Sequence, residues 1–167
     1  MNKDLLLELS QRFNLRDFVE TGTQSGNMFR AMQGHFDRTF TIEVLGAPAE
    51  LYSDFSNVNS AFMFTGSSGD RLPEILRDYK ITRALFWLDA HGNQTWYKDD
   101  GNNQVLKELD AIAQYAPDSL VVIDDITFAS GKFWVNDSYE FLVPSGWHEM
   151  IRLDRRVAIL HRGGYSL

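Results

Sequence analysis

The sequence predicts an α/β fold: a doubly wound, mostly parallel seven-stranded sheet with an antiparallel final strand and helices on both faces. Three observations predict it. Short apolar runs alternate with amphipathic helical stretches, successive runs stop at an acid or a serine before a loop, and the last two runs are joined by a tight turn. Right-handed strand-helix-strand crossovers give a parallel sheet, and such sheets bind ligands beyond the carboxyl ends of their strands.

The elements follow in order. From Asp4 to Phe13 the apolar positions Leu5, Leu6, Leu9 and Phe13 share one helical face. The stretch Asp17 to Gly26, Asp-Phe-Val-Glu-Thr-Gly-Thr-Gln-Ser-Gly, reads as a buried strand that ends on an acid and breaks into a glycine turn, Gly22 letting backbone approach a ligand and Gly26 opening the next helix. That helix buries Met28, Phe29, Met32 and Phe36. Arg38 to Val44 is a second strand with Glu43 near its end, and Pro48 suits the first turn of a third helix that buries Leu51 and Phe55. Ala61 to Thr65 is a third strand. Gly66-Ser67-Ser68-Gly69-Asp70 then caps a helix carrying Leu72, Ile75, Leu76 and Tyr79.

Arg83 to Leu88 is nearly continuous apolar sequence, as a strand buried on both faces requires, and it ends in Asp89-Ala90-His91. The polar loop Gly92 to Asn103 carries Trp96 and Tyr97, and its length suggests a functional role. Val105, Leu106, Leu109, Ile112 and Ala113 mark another helix, and Ser119 to Ile123 a strand ending in Asp124-Asp125. Through Phe133, Trp134 and Tyr139 the pattern weakens. Trp147 to Leu153 and Val157 to His161 read as the closing antiparallel pair.

Composition narrows the chemistry. The 167 residues, 44% hydrophobic, suit a single domain spanning 1–167. With no cysteine there is no disulfide, thiolate metal site or cysteine nucleophile, so a bound metal would be a hard cation on oxygen or imidazole ligands. A net charge of -7 with scattered Lys and Arg argues against nucleic acid or an anionic membrane as partner. Leu5 to Leu7 is too short for a signal core or a membrane span, which leaves the cytoplasm as the expected location.

Glu20, Glu43, Ser67, Asp89 with His91, and Asp124 with Asp125 each fall where a predicted strand stops, and the parallel topology puts them on one rim. With these residues the chain resembles, over nearly its whole length, the Rossmann-like (class I) S-adenosylmethionine-dependent methyltransferases. Glu20-Thr21-Gly22-Thr23-Gln24-Ser25-Gly26 is similar to the family's first motif, an acid before a Gly-x-x-x-Gly turn beside the methionine part of the cofactor. Glu43 matches the acid whose two oxygens accept from the ribose diol. Many relatives place an acid directly after the glycine of the third strand; here Gly66 is followed by Ser67, so the resemblance leaves adenine to Ser67 and Ser68. The other reading of Ser67, Ser68 and Asp70 is helix capping.

The fourth and fifth strand ends resemble the metal-dependent small-molecule O-methyltransferases of the catechol and macrocin types. By that resemblance Asp89, Asp124 and Asp125 would hold Mg²⁺ or another divalent cation, which lowers the pKa of an acceptor hydroxyl, and His91 would take its proton, with Asp89 shared between metal and cofactor. Trp96, Tyr97, Phe128, Phe133 and Trp134 could form an aromatic acceptor pocket, or simply pack. The expected partner is a small molecule bearing a hydroxyl, with a homodimer as one way to complete an open pocket. A non-catalytic cofactor-binding or interaction domain of the same fold is the alternative. Nicotinamide binding would need Gly-x-Gly-x-x-Gly, and the turn has only Gly22 and Gly26. Neither a Walker loop nor a Gly-x-Ser-x-Gly elbow is present. The Asp/Asn-Pro-Pro-aromatic string of base amino methyltransferases is replaced by Asp89-Ala90-His91-Gly92.

Overall fold

The computed structural model describes residues 3–90, 104–129, 132–135, 139–141, 143–153 and 157–162. Seven strands form one sheet: β1 (Asp17–Thr21), β2 (Arg38–Glu43), β3 (Ala61–Thr65), β4 (Ala84–Leu88), β5 (Leu120–Ile123), β9 (His148–Leu153) and β10 (Val157–His161). Their order is β3-β2-β1-β4-β5-β10-β9. The first five run parallel, β10 is antiparallel to both neighbours, and the winding direction reverses between β1 and β4. This is the predicted doubly wound sheet, and the reversal is the place where such sheets open a ligand crevice.

Side-chain alternation assigns each helix to a face. Val19, Phe40, Phe86, Val121 and Leu160 point to the face covered by α4 (Ser68–Asp78) and α5 (Gln104–Tyr115), through Leu72, Ile75, Leu76, Leu109 and Ile112. Phe18, Leu85, Trp87, Val122 and Ile159 point the other way, against Leu6 and Leu9 of α1 (Lys3–Arg12) and Met32 of α2 (Asn27–Met32). Phe18, Phe40 and Phe86 are wholly buried, each contributing roughly 2–3 kcal/mol of transfer free energy. β1, β4 and β5 are buried at every position because both faces are covered. The continuous apolar run of β4 was the readable form of that environment.

The structure departs from expectation in four places. α2 ends at Met32, so Phe36 lies beyond it, and the helix buries Phe29 and Met32. Pro48 caps α3 (Ala49–Phe55) from outside, where its fixed φ and missing donor are equally tolerated. α4 begins at Ser68, so the serine-glycine stretch is mostly first helical turn, with no side-chain cap bond from Ser67. After Asp125 come three strands absent from the sequence reading, β6 (Ile126–Ala129), β7 (Lys132–Val135) and β8 (Tyr139–Phe141), an antiparallel sheet in which Phe128 pairs with Phe133 and Trp134 with Glu140. Ser130-Gly131 between two aromatic runs was the hairpin signal passed over.

Candidate functional site

Four of the parallel strands, β1, β2, β4 and β5, deliver acids to their carboxyl ends. The glycine turn after β1 is fixed by what lies beneath it. Gly22 has φ +84°, and a Cβ there would meet the Asp89 carbonyl, 2.7 Å from its carbon. Glycine is therefore required for the close passage of the β1 and β4 ends. Gly26, also left-handed at φ +74°, is the N-cap of α2 and sits under Leu51, whose Cδ1 would lie 2.7 Å from a Cβ. The turn between them leaves Gln24 and Ser25 exposed and Thr23 buried.

Glu43, half-buried at the end of β2, is tied to that turn. Its Oε2 accepts from the Gln24 amide at 3.0 Å and its Oε1 from the Val44 amide at 3.0 Å. Each oxygen keeps a second acceptor position, so the carboxylate can hold the turn and still receive a diol. In donor chemistry this arrangement fits the ribose of a nucleoside cofactor.

Glu20 departs from the expected rim. It is 2% exposed, accepts from the Thr41 hydroxyl at 2.7 Å, and Thr41 in turn shares a 2.6 Å hydrogen bond with Thr23. Burial pushes its carboxyl up to about 8, against the hydrogen bonds of Thr41 and the Phe29 backbone, with Asp89 and Glu43 adding repulsion. Burial thus favours the protonated form of Glu20, which braces β1 against β2 through Thr41.

Asp89 is half-buried, and its carboxyl rises to about 7 through burial first, then repulsion by Asp124 and Asp125. The Asp124 amide donates to the Leu88 carbonyl at 3.0 Å, locking the β4 and β5 ends together, and Asp124 Oδ1 accepts from the Asp125 amide at 2.9 Å. Asp125 is exposed, with φ +51°. The three expected metal carboxylates are thus neighbours of the right oxygen chemistry, yet among the described residues no three Asp, Glu or His side chains converge as a preformed metal site. His91, Trp96 and Tyr97 lie outside the described residues. Phe128 lies on β6, and Phe133 and Trp134 on β7.

The expected adenine readers face inward. Ser67 Oγ donates to Gln104 Oε1 at 3.3 Å, and the same oxygen accepts from the Gly69 amide at 3.1 Å, so α5 is pinned to the start of α4. Ser68 is buried beside Glu108. Glu108 is fully buried on α5, and burial raises its carboxyl to about 7 although hydrogen bonding to Ser68 and Thr21 opposes the rise. Sequence reasoning missed Glu108, Gln104 and Thr41. Glu108 had a signal: with Val105, Leu109 and Ile112 it occupies the buried helical stripe, where an acid is out of place.

No protein-family model matches the chain, and no curated protein does. Solved structures do. An S-adenosylmethionine-dependent methyltransferase from Clostridium acetobutylicum superposes with a TM-score of 0.56 at 11% identity, over 97% of this chain and 91% of that one. A candidate caffeoyl-CoA O-methyltransferase from Staphylococcus aureus gives 0.57 at 16% identity over 96% and 82%. An rRNA methylase from Streptococcus thermophilus gives 0.52 at 14% identity over 96% and 93%. The fold is that of the class I S-adenosylmethionine-dependent methyltransferases. At these identities the likeness concerns the fold alone, and the matched proteins differ in their acceptors.

Proposed function

We propose that the chain binds S-adenosylmethionine at the carboxyl ends of β1, β2 and β3 and transfers its methyl group to a hydroxyl of a small molecule. The observation that carries this reading is the unit formed by Glu43 and the glycine turn, an acid with spare acceptor positions fastened to the loop beside the topological switch. S-adenosylmethionine, when bound, would be held by Glu43 and the glycine turn and would supply an electrophilic methyl group to the acceptor hydroxyl, with S-adenosylhomocysteine as the leaving group and His91 taking the hydroxyl proton. Asp89, Asp124 and Asp125 would hold a divalent cation such as Mg²⁺, which when bound lowers the pKa of the acceptor hydroxyl. The net charge of -7 favours a small acceptor over RNA. No helix among the described residues is long and apolar enough to cross a membrane.

Calorimetric titration with S-adenosylhomocysteine, with Mg²⁺ and with chelator, tests this. Micromolar binding is expected in both, with added heat when metal is present. Glu43→Ala should weaken binding by about 1–3 kcal/mol, the cost of a lost charged hydrogen-bond partner. No binding by the wild type would leave a methyltransferase shell with another ligand, and the non-catalytic reading would replace this one.

A further inference from the structure

A recess lies at the opposite end of the sheet. About 360 Å³ in volume, it opens at the amino ends of β1, β2 and β4, framed by Arg16 and Asp17, by Asp37 and Arg38, and by Lys80, Thr82 and Arg83. Backbone bonds brace it, from Asp37 N to Arg16 O at 2.9 Å and from Arg16 N to Arg83 O at 3.4 Å. Both acids are already answered. Arg38 grips Asp17 bidentately, Nε to Oδ1 at 2.8 Å and Nη2 to Oδ2 at 2.7 Å, and Arg16 holds Asp37 Oδ2 at 2.7 Å. Two cations are left over. Lys80 has no ion-pair partner among the described residues, and the Nε of Arg83 is buried with no hydrogen-bond partner. Neither Lys80 nor Arg83 is paired with a carboxylate among the described residues, so the four cations and two aspartates that frame the recess leave it with two net positive charges for an anion to answer.

We propose that this recess binds a tetrahedral dianion, the terminal group of a small phosphate monoester, between Lys80 and Arg83. Two uncompensated charges match one dianion. The volume falls within the range of small-molecule pockets, so the organic part of an ester can be accommodated as well as its phosphate. A nucleic-acid backbone fits less well, because it needs a track of cations, whereas here two of the four are already engaged by aspartates. The site is distinct from the candidate cofactor crevice: β1 alone separates them by roughly 13 Å, at about 3.3 Å per residue.

The test follows the Arg83 Nε–H resonance of the full chain by NMR during titration with inorganic phosphate, with glycerol 3-phosphate, and with sodium chloride at matched ionic strength. A saturable shift with both phosphates and none with chloride is expected, tighter for the ester; tighter binding of inorganic phosphate would uphold the dianion site with the free ion as its source. Lys80→Gln, an exposed position whose loss leaves the amide spectrum dispersed, should weaken both by about tenfold, the loss of one charge-assisted partner. Equal shifts in chloride, an unmoved Arg83, or unchanged affinity in Lys80→Gln would overturn the proposal. So would a short single-stranded RNA that shifts Arg83 where neither phosphate does, which would make the recess part of a nucleic-acid surface.

Discussion

The two ends of the sheet treat their acids in opposite ways. At the amino ends of β1 and β2, Asp17 and Asp37 are each paired with an arginine. At the carboxyl ends Glu20, Glu43 and Asp89 make no ion pair among the described residues, and burial, with repulsion from neighbouring acids, drives Glu20 and Asp89 towards neutrality. Paired charges hold a structure at little electrostatic cost. Unpaired buried acids cost stability and mark the end of the sheet where chemistry is expected.

The largest effect that would break this contrast lies at Gly22. Gly22→Ala forces a Cβ into the Asp89 carbonyl at a left-handed φ, so both backbone strain and collision oppose it. A loss of about 3 kcal/mol or more in urea unfolding is expected, together with loss of S-adenosylhomocysteine binding. Wild-type stability would mean that β1 and β4 pass less closely than described. Next, at the amino end, Asp17→Asn leaves Arg38 without its carboxylate in a pair whose acid is 6% exposed. Since Arg38 itself is one-third exposed, the cost should be about 2–3 kcal/mol, below that of a fully buried pair.

Much of this was legible before the structure, and the reason is local. β4 announced itself by five consecutive apolar residues, and Glu43 by its position near the end of an alternating strand. The doubly wound, mostly parallel sheet and the closing antiparallel pair followed from alternation and from the resemblance. What was illegible depends on distant neighbours. That Gly22 lies against the backbone of Asp89 is decided by β4 lying beside β1, and sequence spacing is silent on it. Glu108 was missed because a scan for apolar periodicity passes over an acid on the same stripe. The basic recess collects residues from the starts of three strands, so each looked like an isolated surface charge.

Glu20 sharpens the comparison through pH. Its carboxyl ionises near 4.5 when unfolded and near 8 when folded, so between those values the folded state binds the extra proton. Stability is full below 4.5, falls as pH rises towards about 8, and levels off beyond. Glu20→Gln keeps an acceptor for Thr41 and removes the titration. At a pH just above 8 the variant should therefore be more stable than wild type by about 1–3 kcal/mol, with the difference vanishing near pH 4.5. Asp89 and Glu108 titrate with the same sign, so the informative quantity is the difference between the two urea-midpoint profiles. Parallel profiles would remove Glu20 from the set of buried acids.

The smallest effect is expected at Arg16 and Asp37, whose side chains are 71% and 56% exposed. They differ from the Arg38–Asp17 pair in geometry, both Arg16 nitrogens meeting the one Asp37 Oδ2, and in solvent, which screens their attraction and leaves both groups hydrated when the bond breaks. Asp37→Asn should change stability by no more than about 0.5 kcal/mol, and that change should disappear in high salt. A loss as large as that of Asp17→Asn would show that the backbone bond from Asp37 to Arg16, not the charge pair, holds this edge, because the variant then disturbs the chain path between β1 and β2. The expected outcome assigns the rigidity of the amino end to one buried pair, with the exposed pair serving only to neutralise an acid beside the recess.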